Sequence, residues 1–216
     1  MGSGLKDLII KNKIFFIPYF LVSALVLYIL LIFDKKTGHL VLTSVHNNFL
    51  DSFFTLITHL GDGILVVITG IIFLVIRIRY GFLVILSYSL SGLFVQLLKK
   101  SVFEDFDRPF KYFEDTTPLH FVEGLNIHVY NSFPSGHATS AFALFFAICL
   151  ISENKLMKFT TLVFASLVAY SRVYLSQHFL IDIWAGSVTG IAFTLFTWII
   201  LKNSKYNFLN KSLVKR

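Results

Sequence analysis

Charged residues are scarce in this chain. They make up 14% of its 216 residues, where a soluble domain carries about 25%. That scarcity excludes an ordinary soluble domain. Cysteine is scarcer still: the single Cys149 lies inside an apolar run. An intrachain disulfide is therefore impossible, and a cysteine-based metal site is disfavoured. No internal repeat, low-complexity segment or domain linker interrupts the sequence, so residues 1–216 read as one domain. The net charge of +7 does not point to nucleic acid. The basic residues sit at the ends of apolar segments and form no single patch. Such placement marks topology signals and contacts with anionic lipid.

Apolar length is what the chain has in excess. It is 56% hydrophobic and 17% aromatic, a membrane composition. Ile14–Phe33 is an apolar run of 20 residues, long enough to span a bilayer and too long for a typical signal-peptide core. It is read as an uncleaved first span. Residues 39–60 mix His39, His46, Asn47, Asn48, Asp51 and His59 with Leu, Val and Phe. That mixture predicts one or two amphipathic interfacial helices, broken at Gly61-Asp62-Gly63. A second span is expected from about Asp62 to Arg79, its arginines snorkelling. Gly81–Leu98, Ala138–Ile151, Met157–Leu175 and Ile183–Leu201 supply four more. The expected fold is all-α: a polytopic membrane protein with six transmembrane helices in one bundle and short interfacial helices.

Lysine and arginine counts orient the bundle. Alternate ends of the spans carry twelve and seven of them, and the larger set marks the cytoplasmic side. Both termini are then expected inside and the 101–133 segment outside. That segment holds half of the twelve acids, Arg108-Pro109, Lys111 and several aromatics. It is too polar to span and too long for a plain connector, which marks a functional loop.

Three stretches meet on the outer face. Phe133-Pro134-Ser135-Gly136-His137 opens an apolar helix. Helix N-termini offer free N–H groups and a positive dipole to anions, and His137 can move protons near neutral pH. His178 and Asp182 are four apart, one helical face, so the carboxylate can fix the imidazole tautomer and leave a lone pair. Arg172 lies just upstream and offers a planar fork suited to phosphate oxygens. Lys99-Lys100 and Arg108 add further cations. Fixed positive charge around an in-line nucleophile is what phosphoryl transfer needs. His178 would attack phosphorus and form a phosphohistidine. His137 would protonate the leaving oxygen and later deprotonate water. This scheme calls for no metal and no cofactor. The remaining histidines, His39, His46, His59, His120 and His128, show no i,i+3 or i,i+4 metal pair.

These three stretches resemble the signature motifs of the type 2 phosphatidic acid phosphatase superfamily. Its members are membrane lipid phosphatases that share an active site with vanadium-dependent haloperoxidases. The pattern is Lys-x6-Arg-Pro, Pro-Ser-Gly-His, and Ser-Arg-x5-His-x3-Asp. Pro134–His137 matches the second motif, and Ser171, Arg172, His178 and Asp182 match the third. The first motif departs, because Lys100 and Arg108 enclose seven residues and Lys99 and Arg108 enclose eight. The resemblance implies His178 as nucleophile, Asp182 as its orienter and His137 as general acid. It implies Lys100, Arg108, Arg172, Ser135 and Gly136 as phosphate ligands, with Lys99 the alternative to Lys100.

The expected activity is hydrolysis of a phosphomonoester or diphosphate of a membrane lipid at the outer face of a bacterial inner membrane. Candidate substrates are lipid A, polyprenyl diphosphate, phosphatidylglycerol phosphate and phosphatidate. The partners are that lipid and the bilayer, and the oligomeric state is open. Two other readings are a lipid phosphotransferase using the same site and, from another class, a transporter or channel. The last would need charges inside the spans, and the spans carry almost none away from their ends. Phe106, Phe110, Tyr112, Phe113 and Tyr130 are candidates to seat the lipid at the interface.

Overall fold

A computed structural model describes residues 4–114 and 119–214. Asp115 of the acidic loop and Lys215 and Arg216 of the basic tail lie outside them. The described residues form helices and connecting loops, with no strand among them. In chain order the helices are α1 (Leu5–Lys11), α2 (Lys13–Ile32), α3 (Lys35–Leu42), α4 (Asn48–Thr58), α5 (Gly63–Ile76), α6 (Ile78–Ser101), α7 (Pro109–Phe113), α8 (Gly136–Ile151), α9 (Lys155–Tyr174) and α10 (Leu180–Asn203). The mixed residues 39–60 fold into α3 and α4, and α4 runs on to Gly61 and the helix that follows it rather than standing apart.

Among the described residues four helices, α2, α6, α9 and α10, are long and apolar enough to cross a membrane. The second expected span, from about Asp62 to Arg79, falls on α5, only 14 residues long, and on the start of α6. Asn48–Gly61 and Gly63–Ile76 meet at a bend of 52°, and α5 ends at Arg77, whose backbone is extended at φ −159°. Glycines on both sides of Asp62 allow that bend. The fourth expected span, α8, has 16 residues, shorter than the roughly 20 that a bilayer core requires. It begins two residues earlier than expected because Ser135 caps it, its hydroxyl accepting from the Ala138 N–H.

α8 is the centre of the bundle. Ala138, Ala141, Ala143, Phe146 and Ala147 are fully buried, and α6, α9 and α10 pack around it. Small residues set how close α10 comes. A Cβ on Gly186 would lie 2.6 Å from the Ser135 carbonyl oxygen, and one on Gly190 2.5 Å from that of Thr139. Four residues apart on one face, these glycines let the two backbones touch. Thr194 continues the seam, its hydroxyl donating to the Ala143 carbonyl at 3.3 Å. The approach brings the N-terminal ends of α8 and α10 together: Ser135 N–H donates to the Asp182 carbonyl at 3.0 Å. Two motifs thus meet through a backbone hydrogen bond.

Candidate active site

His178 lies in the short loop between α9 and α10 and is buried. Its Nδ1–H donates to Asp182 Oδ2 at 3.3 Å. The carboxylate accepts and cannot donate, so the proton sits on Nδ1 and Nε2 keeps its lone pair. The same Asp182 oxygen accepts from the Phe179 N–H at 2.9 Å and from the Ser132 hydroxyl at 2.5 Å. The first of these caps α10. Asp182 therefore starts the helix and orients the histidine at once. Burial, then the cations Arg108, Arg172 and Lys99 and the His137 ring, hold the His178 imidazole well below its usual range. It is a neutral base with an available lone pair.

The cations are held from three directions. Arg108 lies at the start of α7, where Pro109 takes the first helical position. Its Nε donates to the Tyr130 carbonyl at 2.9 Å and its guanidinium to the Gln177 carbonyl at 3.2 Å. Arg172, in the last turn of α9, donates to the Thr58 hydroxyl at 2.8 Å. Its buried Nε has no hydrogen-bond partner among the described residues. Lys99 Nζ donates to the Asn131 carbonyl at 2.8 Å. Each of these cations is at least nine-tenths buried, and none pairs with a carboxylate among the described residues.

The lysine differs from the first choice made on spacing. Lys99 is buried beside the site and Lys100 is exposed. Consecutive helical residues point about 100° apart, so the last turn of α6 can turn only one of the pair inward. Eight residues then separate the lysine from Arg108, where the family pattern has six.

Ser135 and Gly136 form the first turn of α8. Ser135 is fully buried, and a Cβ built on Gly136 would meet nothing within 4 Å, so that backbone edge is open. His137 follows, its Nε2–H donating to Asp62 Oδ1 at 3.0 Å. Asp62 Oδ2 in turn accepts from His59 Nδ1–H at 2.8 Å. A cavity of about 360 Å³ between α5, α6 and the start of α8 reaches His137, lined also by Asp62, Tyr88, Gln96 and Ser140. Sequence reasoning missed Asp62 as a site residue and took it only as a helix break. The signal was its place between two glycines. Among the described residues no cluster of three or more His, Cys, Asp and Glu stands where it could hold a metal ion. Of the aromatics expected at the interface, Phe106, Tyr112 and Tyr130 are exposed and Phe113 is buried.

Known proteins resemble this chain in sequence and in fold. The chain is 26% identical over 184 residues to a lipid A 4'-phosphatase from Porphyromonas gingivalis, covering 82% of this chain and 77% of that protein. The crystal structure of Aquifex aeolicus LpxE superposes with a TM-score of 0.67 at 25% identity, covering 78% of this chain and 97% of that one. The crystal structure of a transmembrane PAP2-type phosphatidylglycerolphosphate phosphatase from Bacillus subtilis shares the fold, with a TM-score of 0.60 at 24% identity over 91% of this chain and 99% of that one. The sequence profile of the PAP2 superfamily matches residues 80–206. That stretch contains Lys99, Arg108, the Ser135–His137 turn, Arg172, His178 and Asp182, and the chain belongs to the PAP2 superfamily.

Proposed function

We propose that this multi-pass membrane phosphatase hydrolyses a phosphate ester of a membrane lipid through a phosphohistidine on His178. The carrying observation is a buried, neutral histidine, oriented at Nδ1 by Asp182, among three cations that form no ion pair with a carboxylate of the described residues. Lys99, Arg108, Arg172 and the Ser135-Gly136 turn bind the phosphoryl oxygens, with Lys99 taking the part first given to Lys100. The His178 Nε2 lone pair attacks phosphorus while the bond to the leaving oxygen breaks. His137 gives that oxygen a proton, and the lipid alcohol departs. Water then attacks the phosphohistidine and passes a proton to His137. The P–N bond breaks, its electrons return to Nε2, and phosphate is released.

The single domain of residues 1–216 crosses the membrane six times in this reading: α2, the bent α4–α5 pair, α6, α8, α9 and α10. Both termini face the cytoplasm of a bacterial inner membrane and the site faces outward, following the distribution of lysine and arginine. The relative from Porphyromonas gingivalis makes lipid A phosphates the first candidates, with phosphatidylglycerol phosphate, polyprenyl diphosphate and phosphatidate behind them. The test is phosphate release from a panel of these lipids by the purified protein, with His178→Ala beside it. The expected result is release by the parent protein and none by the folded variant. Undiminished release by His178→Ala overturns the nucleophile assignment. Lipid product analysis separates hydrolysis from transfer to an acceptor.

A further inference from the structure

Asp62 stands outside the three motifs, yet it touches the histidine that has to move a proton. It sits at the break between α4 and α5 in helix-capping geometry (φ −71°, ψ 139°), but its side chain caps nothing. Its two oxygens accept instead from His137 Nε2–H at 3.0 Å and from His59 Nδ1–H at 2.8 Å. The backbone holds this arrangement closely. A Cβ on Gly61 would lie 2.8 Å from Val168 Cγ1 and 3.1 Å from the His137 carbonyl oxygen, and one on Gly63 would strike the Tyr88 hydroxyl. The Gly-Asp-Gly break lies flat against the His137 turn, and bulkier flanks would push the carboxylate away.

The other charges near His137 are adverse. Arg172 and Arg108 both act on its ring, and His178 is close by. Fixed positive charge opposes protonation of an imidazole, and an adjacent carboxylate favours it. A general acid must hold a proton before it can donate one. Asp62 is the carboxylate in contact with that ring, and the exposed His59 shares it on the solvent side.

We infer that Asp62 is the positioning residue of His137: it holds Nε2–H, leaves Nδ1 to carry the transferable proton, and supplies the negative charge that favours this proton against the neighbouring arginines. The inference rests on the phosphatase reading above. In the first half-reaction Nδ1–H passes to the leaving alkoxide as the P–O bond breaks. In the second, Nδ1 takes the proton of the attacking water as the P–N bond breaks. Asp62 neither gives nor takes a proton in either half.

The test compares Asp62→Asn and Asp62→Glu in the full chain, on a lipid alkyl phosphate and on p-nitrophenyl phosphate. With the alkyl substrate, Asp62→Asn is expected to lower kcat by about 10- to 100-fold, the range for removing a partner that orients a working histidine. The alkaline limb of its pH–rate profile moves to lower pH, because an acid without its counter-charge loses its proton sooner. The aryl substrate, whose phenolate leaves with little help from a proton, loses much less. Asp62→Glu restores part of the rate and moves the limb back. The substrate ratio and the limb position do not depend on how much protein is folded, so partial misfolding cannot imitate them. Equal losses on both substrates with an unmoved limb overturn the inference. Phosphate release by His178→Ala would instead overturn the reading beneath it.

Discussion

At the scale of single residues, the site holds its cations with neutral oxygens, backbone carbonyls and one hydroxyl, in place of carboxylates. Lys99, Arg108 and Arg172 are held by the oxygens of Asn131, Tyr130, Gln177 and Thr58. A neutral oxygen fixes a cation's position without cancelling its charge, so the charge stays available to a phosphate. This distinguishes the two adjacent lysines. Lys99→Ala is expected to lower kcat/KM by about 100-fold or more, the usual cost of removing one preorganised electrostatic contact. Lys100→Ala, at an exposed position, is expected to stay within about twofold, as most surface changes do. Steady-state kinetics on one lipid phosphate decides it, and the reverse order would restore Lys100 to the site. The motifs singled out His178, Asp182, Arg172 and His137, and the fold brings these residues together. Lys99 was not singled out, because choosing between neighbours requires knowing the rotation of α6. Asp62 was not either, because its contact with His137 joins residues 75 positions apart.

At the scale of elements, the contact between α8 and α10 carries the second and third motifs together. Gly186 faces the Ser135 carbonyl at the point where the Ser135-Gly136 turn begins. Gly186→Ala forces a methyl group into that oxygen, and overpacking of this kind costs about 1–3 kcal/mol. The turn must also shift, and a misplacement of about 1 Å can cost about 100-fold in rate. The expected outcome is a lower unfolding temperature together with a fall in kcat. Gly92→Ala, where a Cβ meets nothing within 4 Å, is expected to leave the unfolding temperature unchanged or slightly higher. Thermal unfolding in detergent with parallel rate measurements checks both. Helix existence and order followed from apolar periodicity and length. The seam between helices did not, since Gly186 and Gly190 give no sign in sequence of which neighbour they admit. The bend at Asp62 was likewise seen as a break, while its angle and its use in placing a carboxylate belong to packing.

At the scale of the whole molecule, the elements converge on one excess of charge. α6, α7, α9 and the loop before α8 each bring a cation or the carbonyl that holds one. Asp182 is committed to His178, Ser132 and the cap of α10. Asp62 is committed to His137 and His59. Among the described residues no carboxylate pairs with these cations to complete the arrangement. Millimolar phosphate or orthovanadate is therefore expected to raise the unfolding temperature and to inhibit in competition with lipid, through preferential binding to the folded state. Chloride at matched ionic strength does neither, and an unfolding temperature indifferent to both oxyanions would refute the expectation. Handling follows from the same point. Protein purified in phosphate buffer will keep better and turn over more slowly than protein purified without it, because the product of its own reaction is also the ion that balances its interior.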